Sequence, residues 1–138
     1  MKSDRVSKML LMKSKSTFEH RKVERAMRDK SIRSLGHAGA TIRLTARRSI
    51  RRSKNASHPG QPPHTRFGQL KRSLRYSVEK VRQRVLIGPT YSVVGRSATA
   101  HEFGGRYRGQ RYPKRPLMGP ALMKIKDRLP RMWAGSIK

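Results

Sequence analysis

Apolar residues recur at helical spacing from about Phe18 to Arg52, where Val23, Met27, Leu35, Ile42, Ala46 and Ile50 follow one another at steps of 4, 8, 7, 4 and 4 residues. Those steps hold the side chains on one face of a 3.6-residue turn, so the pattern predicts one long helix with a single apolar stripe. Ser16 or Thr17 is placed to cap its start, with Glu19 near the positive end of the helix dipole. Gly36 and Gly39 each cost about 1 kcal/mol relative to Ala, and predict a kink. Residues 53–68 contain Pro59, Pro62 and Pro63, which forbid helix and predict an extended loop. Gly68 to Leu74 reads as a short helix. Leu74, Tyr76 and Val78 then alternate with Arg75, Ser77 and Glu79 as in a half-buried strand, and Val85–Ile87 reads as a second strand ended by Gly88-Pro89. The two are expected to pair as a hairpin, with a third strand over Tyr91–Gly95. Ala98 to Phe103 predicts a helical turn closed by Gly104-Gly105, and Arg106 to Pro116 a basic, turn-rich connection. Gly119-Pro120 opens a last helix whose buried stripe is Leu122, Ile125, Leu129, Met132 and Trp133, kinked or restarted at Pro130.

These elements predict an α+β fold: a long N-terminal helix and a C-terminal helix packed on a small antiparallel sheet, with long extended loops. Residues 1–15 are rich in Lys and Ser without a sustained period and are expected to form a flexible basic arm. Residues 16–138 then make a single domain. Its core is expected to be meagre, because Leu, Ile, Val and Phe number 26 of 138 residues, near the level of roughly 20% below which a highly charged chain tends to disorder. Order is therefore expected to depend on assembly.

Charge narrows the choice of partner. The chain has 35 Lys and Arg against 7 Asp and Glu, a formal net charge of +28. The excess is even, with 17 basic and 4 acidic residues in 1–54 and 18 and 3 in 55–138. A fold carrying this much like charge repels itself, so a polyanion or carboxylates of neighbouring subunits are the expected partners. The absence of cysteine excludes disulfides, thiolate zinc sites and a cysteine nucleophile. The run Met9-Leu10-Leu11-Met12 is too short for a signal-peptide core or a membrane span, so an intracellular origin and no membrane partner are expected.

Two basic surfaces stand out. Arg43, Arg47 and Arg51 stack at i, i+4 on the first helix, with Arg48 and Arg52 repeating the spacing beside them. Like charges so spaced destabilise an isolated helix by a few tenths of a kcal/mol each, roughly, which an anionic partner would relieve. Lys71, Arg72 and Arg75 extend this surface. The stretch from Gly104 to Tyr112 interleaves Arg106, Arg108 and Arg111 with Tyr107 and Tyr112, a composition suited to phosphate contact with base stacking, or to anchoring a neighbouring subunit. Nothing points to catalysis. No nucleotide loop, nucleophile elbow or zinc-protease motif is present, and His101 and Glu102 are adjacent and so face different targets in regular structure. His58 and His64 lack carboxylate or thiolate company and read as loop histidines, so neither metal nor cofactor is expected. Glu102 is expected to pair with an arginine.

Several segments occur in a telling order: Ala46-Arg47-Arg48-Ser49-Ile50-Arg51-Arg52, Pro59-Gly60-Gln61-Pro62-Pro63-His64, Leu70-Lys71-Arg72-Ser73-Leu74, Ile87-Gly88-Pro89, His101-Glu102-Phe103-Gly104-Gly105, and Tyr112-Pro113-Lys114-Arg115-Pro116-Leu117-Met118-Gly119-Pro120-Ala121-Leu122. Together they resemble the head–tail joining family of tailed bacteriophages, the tail-component, neck, tail-completion or virion-morphogenesis proteins. The resemblance runs from about Leu44 to Ile137. It departs at Leu117, where Phe would be expected, and residues 1–40 carry no family signature. It implies a structural virion protein, made in the host bacterial cytoplasm. That protein assembles with itself as a ring, a hexamer being the expected count, between the portal or connector and the tail tube or tail terminator, around duplex DNA held by non-specific phosphate contact. Pro62, Pro63, Phe103, Tyr112, Pro116, Leu117 and Met118 are the expected interface residues. Composition alone points instead to a ribosomal-protein-like, basic RNA-binding protein.

Overall fold

The first helix buries a ladder with a step of four, Ser34, Ala38, Ile42 and Ala46, continued past its end by Ile50. A step of four stays on one face of a helix, and small residues at three of the five rungs let neighbouring elements approach the backbone closely. The computed structural model describes residues 2–134, with side chains from Glu19 onward. Helix α1 spans Lys2–Ser49, so its backbone takes in the stretch expected as an arm, whose side chains lie outside the described residues. It also passes through Ser16 and Thr17, neither of which caps a start, and it ends before Arg51 and Arg52. Both glycines lie within its unbroken run. The expected stripe is corrected in its first half: Val23 and Met27 are exposed, and burial begins only where other elements reach the helix. Two of those contacts come from the C-terminus, where Ser34 Oγ donates to Met132 O at 2.9 Å and Trp133 Nε1 to Ser31 Oγ at 3.4 Å.

After the proline-rich loop comes α2 (Gln69–Ser73), followed directly by β1 (Leu74–Glu79) and β2 (Arg84–Pro89). The two strands pair antiparallel with Leu74 opposite Pro89 and Glu79 opposite Arg84, the hairpin the alternation predicts. Leu74, Tyr76, Val78, Val85 and Ile87 share the face turned to α1, and the outer face carries Arg75, Ser77, Arg84 and Leu86. Arg84 and Glu79 form an ion pair at 2.7 Å beside the turn.

The expected third strand is helix α3 (Tyr91–Val94). Its cause is local. The Thr90 N–H and hydroxyl both donate to Ser73 O at 2.9 Å, which turns the chain after Pro89. Val93 and Val94 then donate back to Thr90 O, and Gly95, at a φ of 58°, ends the turn. Helix α4 (Ser97–Phe103) follows and stops at Gly104. The connection expected to be turn-rich contains a second hairpin, β3 (Gly105–Tyr107) and β4 (Gln110–Tyr112). Arg108 and Gly109 form its two-residue loop, with φ values of 50° and 76°. Positive φ at both central positions suits the right-handed twist of the flanking strands, and Gly in the second place makes the turn inexpensive.

Helix α5 (Met118–Ile125) passes through a short 3₁₀ turn (Lys126–Arg128), and Pro130 restarts the chain as α6 (Arg131–Ala134). Leu122 is exposed rather than part of the buried stripe. Ala121 is buried in its place, and Ile125 is buried as the stripe predicts. The core joins Ala46 and Ile50 to Leu74, Leu117 and Ala121, with Leu70 and Met118 half-buried against it. Among the described residues no helix is long and apolar enough to cross a membrane.

Candidate functional site

The basic positions divide between internal ties and open surface. Arg43 is half-buried, and its Nε donates to Leu74 O at 2.7 Å, tying α1 to the start of β1. Arg47 and Arg48 are exposed in the last turn of α1, where cations meet the negative end of the helix dipole. The expected i, i+4 stack stops there, because Arg51 and Arg52 lie beyond the helix end. Arg52 Nε reaches Arg66 O at 3.3 Å, while the Arg51 backbone carbonyl accepts from Thr65 N–H at 2.9 Å and leaves an exposed guanidinium. Lys71 is half-buried, Arg72 donates from a terminal guanidinium nitrogen to Phe67 O at 3.2 Å, and Arg75 is exposed on the outer face of the first hairpin.

The second hairpin presents a compact arginine display. Arg106 lies directly opposite Arg111 across the strands, Arg108 sits in the turn, and all three are exposed. Like charges directly opposed in a ribbon destabilise it. Its tyrosines supply the compensating attachment. Tyr112 meets the His101 ring edge-on with centroids 5.7 Å apart, Tyr107 packs on Tyr112 at 6.1 Å, and the Arg108 guanidinium lies 5.4 Å from the Tyr107 ring centre. Both tyrosines are half-buried, so they anchor the hairpin to α4 instead of offering open stacking faces.

Glu102 does not pair with an arginine. Its carboxylate accepts three backbone N–H groups at the start of α5: Leu117 at 2.7 Å, Met118 at 3.0 Å and Gly119 at 2.9 Å. The accounting of this helix end is complete, since Pro120 has no N–H and Ala121 N–H donates to Leu117 O. No local signal in the sequence marks Glu102 as the cap. Leu117, in the N-cap position, has no side-chain acceptor, and the carboxylate that serves this helix end comes from fifteen residues earlier. Next to it, His101 is half-buried with Nδ1 buried and unpartnered. Burial pushes the imidazole below its ordinary pKa, and the positive charge of Arg115 adds to the effect.

An apolar cleft of about 830 Å³ opens beside this cap. Pro63, Leu70, Leu117 and Met118 line its inner part, and Tyr91, Val93 and Phe103 stand exposed around it. Of the expected interface residues it gathers Pro63, Phe103, Leu117 and Met118. Leu117 is 5% exposed and belongs to the subunit's own core, so it supports the cleft from within. Pro62, Pro116 and Tyr112 lie outside it, each half-buried. A second, polar pocket of about 590 Å³, missed in the sequence, lies between the end of α1, the proline-rich loop and α5. Compared with protein-family models, curated proteins and solved structures, this chain has no match.

Proposed function

We propose that this chain is a structural subunit of a tailed-phage virion. It forms a homo-oligomeric ring at the head–tail junction, joins the tail to the capsid connector and surrounds the DNA channel. The observation that carries the reading is the arginine ribbon, in which Arg106 and Arg111 are held opposite each other with Arg108 between them, all exposed. Holding like charges together in this way is favourable when an anion lies against them. With 35 cations and 7 carboxylates, at least 28 cations find no counter-charge within the chain.

Duplex DNA meets that demand without base recognition, because Lys and Arg displace condensed counterions from the phosphates. The apolar cleft supports the oligomeric part of the reading. Exposed Tyr91, Val93 and Phe103 around one concavity fit a neighbouring copy in a ring better than solvent.

Electron microscopy of the purified protein tests assembly, and binding to duplex DNA across a salt series tests the channel surface. Closed rings, with DNA binding that ignores sequence and falls steeply with salt, are expected. Monomers alone, together with preference for folded RNA over duplex DNA at matched salt, would sink the assignment and favour an RNA-binding protein.

A further inference from the structure

The polar pocket differs from the rest of this basic surface in being concave and built from three separate parts of the chain. Arg51 comes from just past α1, Ser57, His58, Gln61 and His64 from the proline-rich loop, and Lys124 from α5. No carboxylate is among its lining residues. The loop that forms most of it is fixed at several points. Gly60 N–H donates to Lys114 O at 2.8 Å, Arg115 Nε to Ser57 O at 2.8 Å, and the Arg51–Ser53 backbone exchanges hydrogen bonds with Thr65 at 2.9 and 3.1 Å. His64 Nδ1 donates to Asn55 O at 2.9 Å. Ser57 is 4% exposed, and its hydroxyl has no hydrogen-bond partner.

We propose that this pocket is a phosphate-binding site. Two cations, Arg51 and Lys124, supply charge from two separate parts of the chain, with the guanidinium suited to paired hydrogen bonds to phosphate oxygens. His58 and Gln61 add N–H donors. His64, whose Nδ1 proton is given to Asn55 O, is held in place at the pocket wall. Ser57, whose buried hydroxyl has no partner among the described residues, lines the same pocket and adds a further O–H donor. The phosphate comes either from the DNA backbone, in which case the site rests on the proposed DNA contact, or from free phosphate.

The test titrates orthophosphate into the full chain by calorimetry. The pocket variant Arg51→Gln/Lys124→Gln is compared with Arg82→Gln/Arg96→Gln, which removes the same charge at exposed positions outside the pocket. All four side chains are exposed, so circular dichroism is expected to show unchanged folding. One saturable site is expected, weakened about tenfold or more in the pocket variant and about twofold or less in the control. Equal weakening in both variants, or no saturable site in the wild-type chain, overturns the proposal. A second arm measures a duplex of about 20 base pairs. A salt slope shallower by about one to two in the pocket variant assigns the site to backbone phosphate, and an unchanged slope assigns it to free phosphate. The two readings fail separately. Wild-type DNA binding without a phosphate site sinks the pocket alone, whereas a phosphate site in a chain that neither forms rings nor binds DNA sinks the junction role.

Discussion

At the start of α5, three backbone N–H groups converge on the single carboxylate of Glu102, bringing α4 and the last helix together across fifteen residues of chain. Hydrogen bonds to a charged group are the stronger kind, and their loss leaves donors unpaired at a helix end. Glu102→Ala is expected to cost about 2 kcal/mol in urea unfolding. Glu102→Gln should cost less, because its amide oxygen still serves Leu117 and Met118 while its NH₂ opposes the Gly119 N–H. Equal stability of all three proteins would disprove the capping role. Beside it, His101 gives stability a pH dependence of known sign. Its folded pKa lies below the ordinary value, through burial first and Arg115 second. As pH falls below about 6.5, the unfolded chain therefore takes up the proton before the folded one does. Stability is lost over that window and restored as pH rises. His101→Phe keeps a ring against Tyr112 without the titration, so the rise in Tm between about pH 5 and 7.5 should flatten relative to the parent. A parallel rise in both would assign the dependence elsewhere.

Among the elements, α1 and the first hairpin meet at Gly39, where glycine serves packing rather than bending. A Cβ there would lie 2.7 Å from Val85 Cγ2 and 2.9 Å from the Tyr76 ring, whereas one at Gly36 would meet nothing within 4 Å. Gly39→Ala is accordingly expected to destabilise by about 1–3 kcal/mol through overpacking. Gly36→Ala should stabilise by roughly 0.5–1 kcal/mol through helix propensity alone. Denaturant unfolding of the pair reads the contrast, and like signs would refute the packing account. In sequence, both glycines looked alike, since close approach of a strand three dozen residues later leaves no local mark. The hairpin itself was legible because alternation over Leu74–Glu79 fixes both period and inward face. Tyr91–Val94 was misread because a short apolar run fits strand and helix equally. Only the bond from Thr90 to Ser73 decides. The β3–β4 ribbon was hidden because its strands are three residues long and carry arginine where apolar alternation would be sought, although Arg108-Gly109 held a turn signal. Val23 and Met27 had the right spacing without a partner to cover them. Of the candidate site, residue types and basic character were readable. The polar pocket, which needs Lys124 beside a loop sixty residues earlier, was not.

For the whole molecule, the excess of 28 positive charges sets how stability answers to salt and to polyanions. Within the folded chain these charges are closer together than in the unfolded one, so their repulsion opposes folding. Raising ionic strength from about 10 mM to about 1 M shortens the screening length from roughly 30 Å to roughly 3 Å and removes most of that repulsion. The exposed Arg84–Glu79 pair loses little in exchange. Tm of the free protein is therefore expected to rise with NaCl, by about 5 °C or more. Under the proposed function, duplex DNA is expected to act in the opposite sense along the same axis. Binding to the folded chain at low salt should stabilise it by about 2.7 kcal/mol at a hundredfold excess over Kd, an affinity that counterion release should make fall steeply as salt rises. Two melting series, with and without DNA, should start far apart at low salt and converge at high salt, the free protein climbing while the complex descends. Parallel curves would mean that duplex DNA does not bind the folded chain preferentially, and would leave carboxylates of a different protein to meet a charge that further copies of this chain, each also +28, only increase.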